Sequence, residues 1–151
     1  MRRELLVVLG VFAGPFLVAA QEPAPQAVDI PVDIGQSVKD IRVPHYNAQG
    51  ELSLRLNAVR AERSSSTEFT FGDLRIEMFD KNAEKPSLEV LLPEAVFDQN
   101  TRRLVSDRRS VIKGDTVEIV GRQLEFDIDS RTSRLRGPVT MVVTGSDAMK
   151  P

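Results

Sequence analysis

The feature that most constrains the fold of this 151-residue chain is an alternation of apolar and polar residues with a period of two. Such alternation places apolar side chains on one face of a pleated strand and polar side chains on the other. Beyond the first twenty residues, no segment sustains an i, i+3, i+4, i+7 apolar stripe over three helical turns. The sequence therefore predicts an all-β domain of about eight or nine antiparallel strands. The alternating runs lie at 52–58, 69–71, 74–78, 88–92, 117–119, 124–128 and 139–143.

Turn-forming residues separate these runs. Residues 47–50 (Asn-Ala-Gln-Gly) precede the first long run, and residues 64–66 are three consecutive serines. Pro93 falls inside an otherwise apolar run, and proline cannot donate a hydrogen bond to a ladder. Its position predicts an edge strand, a bulge or a break. Gly121 predicts a bend within a strand rather than a full turn.

A short pattern, Phe-Asp-x-Asn/Asp, occurs three times. Each copy ends an alternating run and precedes a polar stretch. We interpret it as a unit in which a strand ends on a buried phenylalanine and the following Asx residue caps a turn. Stacked copies of such a unit would form a continuous β-layer. The copies begin at Phe79, Phe97 and Phe126.

The first twenty residues have the layout of a secretory signal peptide. Arg2 and Arg3 precede sixteen uncharged residues, 5–20, and small residues stand before a cleavage site at Gln21. A retained membrane anchor is the alternative, although sixteen helical residues reach only about 24 Å of a hydrocarbon core of about 30 Å. We expect a Pro-rich linker at 21–36, a β-domain at 37–145 and a tail at 146–151.

Composition excludes several classes of chemistry. The chain has no cysteine and a single histidine, His45, so it has neither a disulfide framework nor a Cys-based zinc site. A net charge of −2 does not favour binding to nucleic acid. Asp127 and Asp129 lack the glycine and the later glutamate of a calcium loop, and we interpret them as turn residues. We expect no enzyme activity, no metal site and no cofactor.

A group of basic residues has two interpretations. It is either a solvated face or a surface that contacts anionic groups, such as lipid phosphates or the acidic rim of a partner. The group comprises Arg102, Arg103, Arg108, Arg109 and Lys113, with Arg131, Arg134 and Arg136 in a later hairpin.

The order of three motifs resembles the LptC/LptA (OstA-like) family of bacterial lipopolysaccharide export. The resemblance covers roughly residues 38–143 and is LptC-like in motif order. Its motifs are Gly-Glu-Leu-Ser-Leu-Arg-Leu-Asn-Ala at 50–58, Pro-Glu-Ala-Val-Phe-Asp at 93–98 followed by Arg-Leu-Val-Ser at 103–106, and Ile-Val-Gly-Arg-Gln-Leu-Glu-Phe-Asp at 119–127 followed by Leu-Arg-Gly-Pro-Val at 135–139.

The resemblance implies an open, twisted β-jelly-roll in the periplasm whose interior receives lipopolysaccharide acyl chains. It also implies docking by β-sheet edges to other Lpt-type β-domains and to the inner-membrane export transporter. LptC-type members keep a membrane helix and LptA-type members are cleaved, so anchoring to the inner membrane through residues 5–20 stays open here.

Two sets of residues follow as candidates for these roles. The partner edges are expected at the terminal strands, because unpaired N–H and C=O groups suit strand addition; the candidates are Val38, Ile41, Val43, Val139, Met141 and Val143. The candidates for the lipid path are Leu54, Leu56, Phe71, Ile76, Val90, Phe97, Ile119, Phe126 and Met141.

The apolar faces by themselves do not separate a lipid groove from a filled core, since both need such residues. A structural or adaptor β-domain of the envelope, which binds proteins but no lipid, is therefore the alternative function.

Overall fold

The computed structural model describes residues 32–144. Within this range the chain forms eight β-strands and no helix, which confirms the predicted all-β fold. The strands are β1 (Ser37–Tyr46), β2 (Leu52–Arg63), β3 (Glu68–Met78), β4 (Leu88–Asp98), β5 (Arg103–Ser106), β6 (Ser110–Gly114), β7 (Val117–Asp127) and β8 (Thr132–Val143).

All eight strands join one antiparallel sheet. β1, β2, β3 and β4 are neighbours in chain order, and β4 then pairs with both β5 and β6. β7 also pairs with both, so β5 and β6 occupy one position in the sheet, interrupted at 107–109. Among the described strands, β1 pairs only with β2 and β8 only with β7. The two edges of the sheet are therefore not joined, and the sheet is open as predicted.

A line of backbone irregularities, here called the crease, crosses the sheet at mid-strand. From β1 to β4, the ladders are interrupted where an unpaired residue of one strand stands opposite an unpaired residue of the next. Between β7 and β8 the register shifts twice at the same level. Three non-glycine residues on the line have φ between 50° and 56°, and a glycine has φ of 83°. The crease therefore bends each strand at the same level. Its positions are Asp40, Val59, Asp73, Pro93, the 107–109 connection, Gln123 and Gly137.

The crease shifts side-chain alternation by one residue. In β3, Phe69 and Phe71 are buried before the crease, and Leu74 and Ile76 are buried after it. β2, β4 and β7 show the same shift. A one-residue offset exchanges the two faces of a strand, and a bulge combines that offset with a bend. The sheet can therefore fold over while the apolar side chains of both halves stay inside.

The irregularities at Pro93 and Gly121 agree with the sequence predictions. Pro93 lies in a central strand but at the crease, where neither neighbouring ladder pairs with it. Gly121 lies next to register shifts in β7. A Cβ at Gly121 would stand 3.1 Å from a methyl of Leu135, so a larger residue there would push against β8. Pro93 thus marks a break, and Gly121 a bend.

Two of the three copies of the Phe-Asp-x-Asn/Asp pattern end their strands with the predicted side-chain cap. The carboxylate of Asp98 accepts the N–H of Asn100 at 2.8 Å, and that of Asp127 accepts the N–H of Ser130 at 2.9 Å. The hydrogen bond from Ser130 is the main cause that lowers the pKa of Asp127, against a smaller opposing effect of burial. The three phenylalanines are buried, namely Phe79, Phe97 and Phe126.

In the part of the chain that the structure describes, there is no helix long and apolar enough to cross a membrane. The expected signal peptide or anchor at 1–20, the first part of the expected linker at 21–36 and the expected tail at 146–151 lie outside the described residues.

Candidate functional site

One row of apolar side chains runs across the whole sheet, from one edge to the other. Each member is the register partner of the next, so all of them share the inner face. Five of the predicted lipid-path residues belong to this interior row. Its members, from β1 to β8, are Val43, Leu56, Ile76, Val90, Ile112, Ile119 and Met141.

Exposure along the interior row rises toward β8. Ile76 and Val90 are fully buried, and Ile112 is 6% exposed. Ile119 is half-buried, and its partner Met141 is 60% exposed. The interior is thus closed over β2, β3 and β4 and opens at the β7–β8 side of the sheet.

The other predicted lipid-path residues lie deeper in the same interior. Phe97 pairs with Leu104, which pairs with Phe126, in a second row on the far side of the crease. Seven of the nine candidates are at most 1% exposed, so their side chains fill the interior of this structure. They are Leu54, Leu56, Phe71, Ile76, Val90, Phe97 and Phe126. The structure brings these residues together in one core.

The two free edges differ in character. On β1, the predicted edge residues Val38, Ile41 and Val43 are half-buried and pack against the core. On β8, Val139 and Val143 are 47% and 66% exposed. β8 therefore offers both unpaired backbone groups and uncovered apolar side chains, whereas β1 offers mainly its backbone.

Arginine side chains make hydrogen bonds and ion pairs at one corner of the folded sheet, near the β7–β8 turn. Arg131, in the β7–β8 turn, donates to the carbonyl of Phe79 at 3.1 Å. Nearby, Nε of Arg102 lies 2.6 Å from the Asp129 carboxylate. Burial lowers the pKa of His45, the positive charge of Arg102 lowers it further, and Asp129 opposes this shift. The hydrogen bond of Arg131 ties the end of β3 to the β7–β8 turn, and the charges of Arg102 and Asp129 act on His45 near the end of β1.

Apart from Arg131, which donates to the carbonyl of Phe79, the predicted basic group divides into two parts. Three of its members are neutralised by acids. Arg102 pairs with Asp129, Arg103 lies 3.2 Å from Glu125, and Lys113 lies 4.0 Å from Glu118. Four others, all exposed, have no carboxylate of the described residues within ion-pairing distance. These are Arg108, Arg109, Arg134 and Arg136.

A depression of about 700 Å³ lies on the outer face, beside the crease. Its wall contains apolar side chains from β4 and β6, including Leu91, Pro93 and Val111, and the guanidinium-bearing Arg75 and Arg109. At its other end, β1 and β3 contribute acids. They are Asp40, Asp73 and Glu77.

One of these acids is held by hydrogen bonds. Glu77 accepts from Nε of Arg55 at 2.6 Å and from the amide of Asn57 at 2.9 Å. Burial acts to raise the pKa of Glu77, but these hydrogen bonds and the charges of Arg55 and Arg75 outweigh it and lower the pKa. Glu77 is therefore a carboxylate whose charge is already compensated.

Within residues 32–144, no three His, Asp or Glu side chains are grouped so that they could hold a metal ion. Two of the three buried serines in the described range donate to main-chain carbonyls: Ser106 to that of Glu94 at 2.5 Å, and Ser110 to that of Arg108 at 3.1 Å. The hydroxyls of these two serines are thus used within the fold.

Two features of the site were missed by sequence reasoning. The crease has a sequence signal, because the apolar phase slips by one residue between Phe71 and Leu74 and again between Leu92 and Ala95. The outer depression has no such signal, since its wall combines residues of five strands.

Comparisons with known proteins give a likeness in fold. No family model matches the sequence, and no curated protein matches it significantly. Among solved structures, the chain is similar to the crystal structure of LptH from Pseudomonas aeruginosa, described as the LptA homologous periplasmic component of the conserved lipopolysaccharide transport device. The TM-score is 0.49 at 9% identity, over 73% of this chain and 94% of that one.

Proposed function

We propose that this chain is a non-enzymatic periplasmic component of lipopolysaccharide export, which passes acyl chains along its apolar inner face and docks like domains by its edge strands. The single observation that carries the proposal is the interior row, which runs from the buried core to the exposed Met141 on a free edge strand. The order of the sequence motifs supports the same assignment.

Acyl chains would enter where the interior row is uncovered. Ile119 and Met141 are accessible, and burial of each methylene group is worth about 0.8 kcal/mol. Deeper residues such as Ile76 and Val90 are covered by their neighbours. An acyl chain can reach these deeper residues only if it displaces their neighbouring side chains or separates the two halves of the folded sheet.

Strand addition at the edges would continue the interior row into a neighbour. β8 and β1 each have one side without a ladder partner among the described strands. A second β-domain that pairs there satisfies those backbone groups and covers Val139 and Val143. The proposed partners are lipopolysaccharide, other Lpt-type β-domains and the inner-membrane export transporter.

Photo-crosslinking tests the lipid path with a matched pair of positions. Met141 and Val142 are neighbours in β8 with exposures of 60% and 51%, but they lie on opposite faces. A photo-reactive residue at Met141 should label with lipopolysaccharide, and one at Val142 should not. Equal labelling at both positions contradicts the path. Labelling at Phe126 reports whether the chain reaches the buried interior.

Cross-linking and charge substitution test the edges. A cross-linking residue at Met141 should trap a neighbouring β-domain, and Met141→Asp should block the assembly, because a carboxylate on the inner face would be buried without a partner. Unchanged assembly of the aspartate variant contradicts docking at β8.

The alternative is an envelope adaptor that binds proteins and no lipid. The burial of seven of the nine lipid-path candidates favours it, since those side chains already pack against one another. Co-purification separates the two functions: lipopolysaccharide bound to the purified chain supports export, and partner proteins without lipid support the adaptor.

A further inference from the structure

The outer face carries three arginines at the level of the crease: Arg122 on β7, Arg136 on β8, and Arg109 in the connection between β5 and β6. Arg122 and Arg136 are register partners in β7 and β8. The β6–β7 ladder ends at the pair Ser110 and Gly121, and Arg109 and Arg122 are the residues that come next to this pair along the two chains. All three arginines are exposed, and we call them the arginine row.

The arginine row is unfavourable for the isolated chain. Like charges directly opposite one another destabilise an antiparallel pair, and Arg122 faces Arg136. No carboxylate of residues 32–144 lies within ion-pairing distance of the row, including that of Asp107, two residues before Arg109. An anion bound between these guanidinium groups would remove the repulsion.

The arginine row continues into the outer depression, because Arg109 belongs to both. Beside Arg109, the wall is apolar at Leu91, Pro93 and Val111. The acids of the depression lie on β1 and β3, away from the row. The surface therefore joins a cationic end to an apolar stretch of wall, whereas the opposite end of the depression is polar and also contains Arg42, Arg55 and Arg75. The volume of about 700 Å³ is that of a small-molecule site.

We propose that the arginine row and the adjoining depression bind an amphiphile with a phosphate head, whose head lies on Arg109, Arg122 and Arg136 and whose apolar chain lies along Leu91 and Val111. Guanidinium groups match phosphate oxygens in paired hydrogen bonds. Neighbouring strands lie about 4.8 Å apart, which places Arg122 and Arg136 along one head group, and Arg109 at the start of β6 adds a third guanidinium on the other side of β7. The site is on the face opposite to the interior row, so a test of this proposal does not depend on whether the proposed function is correct.

Calorimetric titration of the full chain tests the site with short-chain phosphatidic acid kept below its micelle concentration. The comparison ligands are phosphatidylcholine of the same chain length and inorganic phosphate. The variants are Arg109→Gln combined with Arg122→Gln, and separately Val111→Asp. Arg134→Gln is the matched control, because Arg134 is an exposed arginine on β8 outside the row. Every variant carries the same residues 1–31, so differences in affinity report on the described surface.

We expect phosphatidic acid to bind more tightly than either comparison ligand. The double arginine variant and Val111→Asp should each weaken it by about tenfold or more, while Arg134→Gln leaves it unchanged. Absence of binding, equal affinity for inorganic phosphate, or affinity unchanged in both variants overturns the proposal. Met141→Asp, which alters the interior row, should leave this binding unchanged; its loss in that variant would place the ligand in the interior and also overturn the proposal.

Discussion

The guanidinium of Arg131 donates to the main-chain carbonyl of Phe79 across 52 positions of sequence, at 3.1 Å. Arg131 lies in the turn between β7 and β8, and Phe79 directly follows β3. The contact therefore joins the two halves of the folded sheet at one corner. At the free end of β8, by contrast, Met141 and Val143 are exposed and are not covered by the other half of the sheet. The interior is thus fastened at one corner and uncovered at another.

Arg131→Asn should remove this fastening without disturbing the turn. Arg131 has φ of 56°, a conformation that asparagine tolerates, but the asparagine side chain is too short to reach Phe79. We expect the free energy of unfolding, measured by urea denaturation, to fall by about 1 kcal/mol. The control Arg134→Gln should stay within about 0.5 kcal/mol of the parent chain. A variant at Arg131 as stable as that control contradicts the fastening.

Substitution at Gln123 should reveal the strain of the crease. Gln123 has φ of 56°, which costs an L-residue roughly 1–2 kcal/mol and glycine nothing. We expect Gln123→Gly to unfold with a free energy at least about 1 kcal/mol higher than Gln123→Val. At Thr140, which pairs with Val120 in the β7–β8 ladder, valine should instead be more stable than glycine because strands favour valine. If the valine variant is as stable as the glycine variant at Gln123 as well, the backbone at the crease is not strained.

Alanine substitutions should distinguish the filled interior from its open side. Phe126 is fully buried, and Phe126→Ala should lower the free energy of unfolding by about 3–5 kcal/mol because of the cavity it leaves. Met141 is 60% exposed, and Met141→Ala should lower it by no more than about 0.5 kcal/mol. A loss below about 1 kcal/mol for Phe126→Ala would indicate an open trough instead.

Acid should weaken the turn that follows β7. The hydrogen bond from Ser130 is the main cause of the lowered pKa of Asp127, so its contribution to stability is present above the ordinary carboxyl pKa. It is lost as the pH falls through the lowered pKa of the folded state. Asp127→Asn keeps an oxygen acceptor without the charge. Its stability should therefore decline less than that of the parent chain between pH 6 and pH 3, and equal declines in thermal unfolding experiments would refute this.

Local pattern predicted much of this fold, and particular residues show why. The alternation around Leu54 and Leu56 predicts which residues of β2 face inward, because successive side chains of a pleated strand point to opposite faces. Phe97 with Asp98, and Phe126 with Asp127, predict strand ends, because an Asx side chain caps a turn within its own four residues. Each of these signals is complete within a few consecutive positions.

The strands, the inward-facing residues of each alternating run and the turns between the runs follow from local sequence, since these depend on neighbours a few residues away. Three relationships follow only from the folded sheet: the irregularities at Asp40, Asp73 and Gln123 fall on one line, Arg122 faces Arg136, and Met141 is left exposed. Those relationships depend on the register between strands, which joins residues many positions apart and is set when the whole sheet folds over its core.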